Sequence, residues 1–369
     1  MNEIYMGKSN GEEVYTTLFN MLITGQTQLS GKTTTIKALA PEAVDEYGID
    51  VLIFDSKPTG REFPEYPAIP IVYEPTTDAL ILIGLLESIF RRRLTPFYST
   101  LARLTEGADD LGDILKNAVK MEEKAKSGFI KDACHTLADL IRRLQKELEG
   151  KYLVSELSAT RGIHVMPINE LSVEAQQLVI RTAFRQALSR SMHKNKIMVI
   201  DEAWRFLPES FSSACKRDIY DYATQGAKTK RFVWLATQFL APTDKDALKA
   251  MPIKLLGRQD HATEVEHTLR AIPGYKGAFK PEDIMKLKKG EFIFVDIEGS
   301  TKKVYVQPPW EREGYVEPLS IPSEKVVPYA SDVMPIPQGL QFVAEEEVPE
   351  ELVRRLGNIE RRIEEFYQK

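Results

Sequence analysis

Residues Gly25 to Thr35 read GQTQLSGKTTT. The apolar run Met21 to Thr24 leads into a short polar loop, and Gly31-Lys32-Thr33 opens a segment of helical character. These types in this order suit a phosphate. Glycine lets backbone N–H groups approach phosphate oxygens with no side chain between, and a helix N-terminus adds unpaired N–H groups and the positive end of its dipole. Lys32 would reach the β- and γ-phosphates, and the Thr33 hydroxyl would hold Mg²⁺. The expected nucleotide cradle is Gly25, Gln26, Thr27, Gln28, Leu29, Ser30, Gly31, Lys32, Thr33 and Thr34. One spacing departs from the P-loop pattern: five residues, not four, separate Gly25 from Gly31. Either the loop carries an extra residue, most simply around Leu29, or Gln26 stands where the first glycine belongs.

Two further segments supply what a phosphate loop lacks. Lys196 to Leu207 reads KIMVIDEAWRFL, a buried apolar strand ending in Asp201-Glu202. In a parallel sheet the carboxyl ends of strands face the ligand crevice. Asp201 would bind Mg²⁺ through water, and Glu202 would polarise the attacking water as general base. A strand that ends in acids at a surface is also common, and the pair gains its meaning from following a P-loop. The Glu beside the Asp points to an ATP hydrolase with a carboxylate base rather than to a small GTPase. Phe232 to Gln238 reads FVWLATQ. An amide at such a strand end can sense the γ-phosphate and orient the water; capping of the following loop is the alternative. Asp55, in FDSKPTG, could join the metal or water network or cap its turn. His135, His164, His193, His261 and His267 do not cluster with acids at ligand spacing and read as structural.

A parallel sheet is needed to gather these residues. Short apolar runs predict buried strands at Met21–Thr24, Val51–Phe54, His164–Met166, Ile197–Ile200 and Phe232–Ala236, with a further one closing at Val72 and Tyr73. Helices are expected from Thr33 to Ala40, ended by Pro41, and from Val173 to Ser191. Phe292–Val295 and Val304–Val306 read as a hairpin around Glu298-Gly299-Ser300. Residues 78–150 change character: Leu137, Leu140, Ile141, Leu144 and Leu148 recur at helical spacing, and Leu85 and Ile89 precede the basic run Arg91 to Arg93. Residues 308–340 hold seven of the 21 prolines, which predicts a tail running over a surface. Leu352, Leu356, Ile359, Ile363 and Phe366 follow a heptad pattern too short for a coiled coil of its own, so a docked amphipathic helix is expected.

Composition bounds the function classes. The chain has 369 residues, 43% hydrophobic and 28% charged, with a net charge of -5. This excludes nucleic-acid binding through overall basicity but leaves room for a local basic groove or basic pore loops. The two cysteines, Cys134 and Cys215, have no Cys or His at ligand spacing, so neither a disulfide framework nor structural zinc is expected, and a cytoplasmic location fits. The N-terminus lacks the pattern of a signal peptide. The longest apolar run, Ala79 to Leu86, falls short of the roughly 18 residues that a membrane span needs.

The set G-Q-T-Q-x-S-G-K-T-T, I-D-E-A-W-R-F-L-P and L-A-T-Q resembles the HerA–FtsK superfamily of P-loop ATPases, and within it HerA and the ATPases of conjugative type IV secretion. The lead-in from Met6-Gly7-Lys8 through Glu13-Val14 is similar too, as is Val165 to Leu188. The likeness covers most of residues 4–300; residues 78–150 match only in general character and the tail not at all. It implies an α/β fold: a RecA-like P-loop NTPase core with a mainly parallel sheet, a helical insertion and a Pro-rich C-terminal tail. The implied division is a core of residues 1–77 and 151–307, an insertion at 78–150, a tail at 308–347 and an amphipathic helix at 348–369.

The resemblance also implies a homo-oligomeric ring, usually a hexamer, that couples Mg²⁺-dependent ATP hydrolysis to the movement of double-stranded DNA. Lys32, Glu202 and Gln238 would act in catalysis, and Thr33 and Asp201 at the metal. HerA proteins carry a β-barrel before the core that this sequence lacks, which argues against the HerA repair role with its docked nuclease. Rings of this kind complete each site with a cation from the next subunit; Lys228, Arg231 and Arg258 are the candidates. Lys216, Arg217 and the segment Lys228 to Arg231 could instead face DNA phosphates in a pore. The alternatives are an ATPase energising conjugative or secretion-type transfer with a membrane-channel partner, a viral genome-packaging ATPase, and a low-turnover assembly module locked by nucleotide.

Overall fold

Apolar residues one apart in the strands sort onto opposite faces of one sheet, as the two-residue strand period requires. The computed structural model describes residues 3–312 except 59, 77, 95–96, 149–150, 152, 158–160, 190–194 and 275–277. The tail expected from 308 lies outside the described residues beyond 312, as do the C-terminal amphipathic helix and His193.

The chain begins with strands β1 (Ile4–Ser9), β2 (Glu12–Thr16) and β3 (Met21–Thr24), then helix α1 (Lys32–Tyr47), β4 (Asp50–Asp55) and β5 (Ile71–Val72). Four helices follow: α2 (Ala79–Phe90), α3 (Tyr98–Thr105), α4 (Leu111–Lys124) and α5 (Gly128–Leu148). Next come β6 (Leu153–Val154), β7 (Ile163–Pro167), α6 (Val173–Ser189), β8 (Lys196–Ile200), α7 (Lys216–Gln225) and β9 (Arg231–Thr237). The last elements are α8 (Lys245–Lys249), β10 (Ile253–Leu256), α9 (Ala262–Arg270), α10 (Pro281–Met285), β11 (Glu291–Val295) and β12 (Thr301–Tyr305).

Ten strands form one sheet in the order β2-β1-β12-β11-β10-β3-β9-β8-β4-β7. From β10 to β7 every pair is parallel. The β11–β12 hairpin and the β1–β2 hairpin extend it with antiparallel strands. The fold is thus an α/β fold around a mainly parallel sheet, with the P-loop strand β3 between β10 and β9. In the parallel part the carboxyl ends are aligned: Thr24 pairs with Thr237, Ile200 with Leu235, and Phe54 with Ile200.

One face carries Leu22, Leu52, Phe54, Met198, Ile200, Val233 and Leu235, and packs against α6, α7 and the helical block α2–α5 in a single apolar cluster. The other carries Met21, Ile23, Val51, Ile53, Ile197, Val199 and Trp234, and packs against Ile36, Leu39, Ala40 and Ala43 of α1. Leu137, Leu140, Ile141, Leu144 and Leu148 of α5 all point into the first cluster, as their spacing requires.

Three details differ from the sequence reading. Pro41 does not end α1 but lies inside it. The proline forfeits one backbone hydrogen bond, but the apolar stripe on both sides of it is fully buried, and packing outweighs the loss. The helix ends instead at Gly48, in the left-handed region at φ 59, with its N–H on the Val44 carbonyl. Val72 belongs to a separate two-stranded sheet, β5 with β6. β1, β2 and β10 were not foreseen.

Candidate active site

The candidate phosphate loop, Gly25 to Gly31, is a backbone construction. Gly25 sits at φ 144, and a Cβ there would stand 2.5 Å from Ser30 Cβ, so only glycine fits. The Leu29 and Ser30 N–H groups both donate to the Gln26 carbonyl, at 3.3 and 3.2 Å. Gln28 adopts φ 65, and Leu29 is exposed. Gly25 is thus the residue of this loop whose backbone only glycine can hold, and Gln28–Leu29 form its exposed left-handed bend. Gly31, at φ 84, caps the N-terminus of α1. Lys32 is buried, and its Nζ donates to the Gly25 carbonyl at 2.7 Å. Burial pulls its pKa below the ordinary lysine range, against the pull of Asp201 and Glu202. Thr34 is half-buried in the first turn of α1.

Asp201 and Glu202 follow β8 and are both buried. The Glu202 N–H donates to Asp201 Oδ1 at 2.9 Å. Glu202 holds φ 54, a left-handed conformation that costs a non-glycine residue about 1–2 kcal/mol. Its side chain accepts from the Trp204 indole N–H at 2.8 Å. Burial pushes the Asp201 carboxyl up, to about 7, against the opposing Lys57 ammonium.

Two residues absent from the sequence reading complete this cluster. Lys57 Nζ lies 2.9 Å from Glu62 Oε2, 3.0 Å from Asp201 Oδ2 and 3.6 Å from Glu202 Oε1. Glu62 Oε2 also accepts from the Thr33 hydroxyl at 2.9 Å. Burial lowers the Lys57 pKa, but Asp201 and Glu62 outweigh it and hold the ammonium above the ordinary lysine range. Glu62 is placed by Asp55, whose Oδ2 accepts the Glu62 N–H at 2.9 Å, so Asp55 caps this turn. The signal available in the sequence was a lysine two residues beyond an acid at a strand's carboxyl end.

Gln238 follows β9, and its side chain is hydrogen-bonded to the Thr27 hydroxyl of the phosphate loop. Its carbonyl accepts from Gln259 Nε2 at 2.9 Å. Gly25 to Thr34, Asp201, Glu202 and Gln238 are thereby gathered at one edge of the sheet. The three candidate trans cations are not together. Arg258 stands beside its own phosphate loop: its carbonyl accepts the Gln26 N–H at 2.8 Å, and its guanidinium pairs with Asp260 at 2.9 Å. Arg231 begins β9, at the far edge of the sheet about 20 Å from Gln238. It is buried, and it donates to Thr229 Oγ1 at 2.8 Å. Lys228 is exposed near that far edge. Lys216 is tied to Asp244 at 2.6 Å, whereas Arg217 is exposed.

The donors near Thr33 suit a hard divalent cation. Asp201 Oδ2 is buried and accepts no hydrogen bond of good geometry; the Lys57 ammonium lies 3.0 Å from it, and the Glu62 carboxyl is close by. Among the described residues no group of three or more His, Cys, Asp or Glu side chains is arranged to hold a metal by itself. Mg²⁺ does not require one, because it keeps several waters and takes substrate phosphates with one or two protein oxygens. His135 lies 3.2 Å from both Glu122 and Asp139, remote from these loops in sequence. Among the described residues no helix is long and apolar enough to cross a membrane.

No family model matches the chain, and no curated protein matches it. Solved structures do. VirB4 of Thermoanaerobacter pseudethanolicus is similar over 84% of this chain and 97% of its own, at 17% identity and a TM-score of 0.59. The genome packaging NTPase B204 of Sulfolobus turreted icosahedral virus 2, in complex with ATP-gammaS, covers 79% of this chain and 97% of its own, at 12% identity and a TM-score of 0.42. The pCW3 conjugation coupling protein TcpA, in its monomer form with ATPgS, covers 82% and 65%, at 11% identity and a TM-score of 0.38. The last two likenesses are too weak to carry an inference. The first shows that this chain shares the α/β fold of VirB4, around the mainly parallel sheet described above.

Proposed function

We propose that this protein is a Mg²⁺-dependent ATP hydrolase that works as a homo-oligomeric ring and moves double-stranded DNA. The observation that carries the reading is the convergence, at the carboxyl edge of the adjacent strands β3, β9 and β8, of a glycine-shaped phosphate loop, a buried Asp201-Glu202 pair and Gln238. The backbone of Gly25 to Thr34 cradles the phosphates, and Lys32 leaves the Gly25 carbonyl to meet the β- and γ-phosphates. Thr33 and Asp201 would hold Mg²⁺, which would neutralise charge on the phosphate oxygens. Glu202 accepts a proton from water as the water oxygen bonds to the γ-phosphorus, and the bond from that phosphorus to the ADP oxygen breaks. Gln238 orients the water and reports the γ-phosphate to the phosphate loop through Thr27. A cation of the next subunit stabilises the transferring group; Lys228, exposed at the far edge of the sheet, is the candidate best free to reach a neighbour.

The test is steady-state ATP hydrolysis with and without linear double-stranded DNA, in the wild type and in Glu202→Gln. The expected outcome is Mg²⁺-dependent turnover that DNA stimulates, that weakens with salt, and that falls about 10²–10⁴-fold in the variant. Turnover that needs Glu202 but ignores DNA transfers the reading to a secretion-type ATPase with a protein substrate. Nucleotide binding without turnover in either protein leaves the nucleotide-locked assembly module.

A further inference from the structure

The phosphate and metal groups of this chain are all engaged within the chain. Lys32 bonds the Gly25 carbonyl, Gln238 bonds Thr27, and Glu202 takes the Trp204 indole. Glu62, Asp201 and Glu202 converge on a single ammonium, that of Lys57, which is 15% exposed. Asp201 is nine-tenths buried and more, its Oδ2 accepts no hydrogen bond of good geometry, and the ammonium stands 3.0 Å from it. Lys57 and Thr33 meet the same oxygen of Glu62, each at 2.9 Å, so the ammonium stands one carboxylate oxygen away from the Thr33 hydroxyl.

We propose that Lys57 is the resident cation of this acid pocket, a placeholder that a divalent cation must displace. The inference rests on the Mg²⁺·ATP reading above. Its physical basis is charge. Three carboxylates facing one another without a counterion repel strongly in a partly dry pocket. Lys57 relieves that repulsion while no metal is bound. An ammonium and a divalent cation cannot share the space beside Asp201 and Thr33, so entry of one expels the other. Lys57 thus makes the pocket indifferent to free metal and receptive only to metal that arrives with a polyphosphate, whose own charges are paid by the loop amides and Lys32. Once displaced, Lys57 keeps Glu62 within reach and no longer draws on Glu202.

The first experiment needs no nucleotide. Mn²⁺ alone is titrated into the wild type, Lys57→Met and Lys57→Arg, and free Mn²⁺ is read by its electron paramagnetic resonance signal. The expected result is one Mn²⁺ site in Lys57→Met, about tenfold or more tighter than in the wild type, with Lys57→Arg like the wild type. Equal Mn²⁺ binding in all three overturns the proposal. Should Lys57→Met fail to fold, the wild type supplies the second measurement: acylation of Lys57 by an amine-reactive reagent, read by mass spectrometry. Lys57 is expected to be protected alone and with nucleotide in EDTA, and to react several-fold faster with Mg²⁺ and a non-hydrolysable ATP analogue. Unchanged reactivity on loading counts against the placeholder. If the wild type and Lys32→Ala bind the analogue equally poorly, it is the nucleotide reading that fails, whereas normal loading with an unmoved Lys57 removes this inference alone.

Discussion

Trp204 and Glu202 are joined through their side chains: the indole N–H donates to Glu202 Oε2 at 2.8 Å. A short 3₁₀ turn over Ala203–Arg205 brings the two back on each other, and the left-handed backbone of Glu202 starts it. Phe239, which follows Gln238, packs edge-on against the Trp204 ring at 5.5 Å. The residue after the proposed sensor therefore touches the residue that holds the proposed base. Trp204→Phe keeps the ring contact and removes the donor. A hydrogen bond to a charged group is worth about 1.5–3 kcal/mol. We expect kcat for ATP to fall about tenfold or more, with KM little changed, because the bond orients the base and does not bind the nucleotide. Steady-state kinetics checks this. An equal loss carried by KM would assign Trp204 to nucleotide binding.

Much of this site was legible in the sequence because buried parallel strands read as unbroken apolar runs. MLIT is β3, IMVI and FVWLA are most of β8 and β9, and each is followed at once by its site residues. β10 was hidden by Lys254 in the middle of IKLL, a lysine that the sheet half buries. The β1–β2 hairpin carried a usable sign, Asn10-Gly11 between its strands, with φ 50 and 89 in the turn. Lys57 had only the weak sign of a lysine two residues past a strand-ending acid, and Glu62 had none. They meet Asp201 only because β4 lies beside β8, and strand adjacency is a property of the sheet, not of any local pattern. The same holds for Arg258: its place beside the phosphate loop follows from the parallel pairing of β10 with β3.

Two glycine substitutions separate the loop from the helix it feeds. Gly25→Ala puts a Cβ 2.5 Å from Ser30 Cβ at a backbone angle that L residues avoid. We expect about 3 kcal/mol of lost stability and loss of nucleotide binding. Gly48→Ala, at the other end of α1, meets nothing within 4 Å and carries only the left-handed penalty. About 1 kcal/mol of stability should go, with nucleotide affinity intact. Urea midpoints and fluorescent-nucleotide titration check both. A Gly25→Ala protein that binds normally would mean the loop can open without harm.

Asn20 ties the start of the P-loop strand to three neighbours. Its Nδ2 donates to the Ala223 and Ala250 carbonyls at 2.7 and 3.1 Å, and its Oδ1 accepts the Val233 N–H at 2.9 Å. The residue is buried, so Asn20→Ala strands an N–H of β9 and two carbonyls. Each orphaned buried group costs about 1–3 kcal/mol, and partial relaxation should hold the total near 3–4 kcal/mol. The urea midpoint should drop with an unchanged slope. A drop below about 1 kcal/mol would show that water enters the site and replaces the amide.

His164, on β7 at the end of the sheet, gives the apoprotein a pH dependence of definite sign. Its Nδ1 is buried without a hydrogen-bond partner. Burial lowers its pKa below the ordinary 6.5, and the nearby Lys196 ammonium adds to the shift. The folded state therefore binds this proton less readily than the unfolded chain. Stability from this group is fully present above pH 6.5 and is lost as pH falls from 6.5 toward the folded pKa. His164→Gln removes the group that titrates. Urea unfolding between pH 5 and 7.5 should show stability rising with pH in the wild type below 6.5, and a shallower rise in the variant, whatever the carboxylates contribute to both. Parallel curves would mean that the ring reaches water and protonates in the folded state as freely as in the unfolded one.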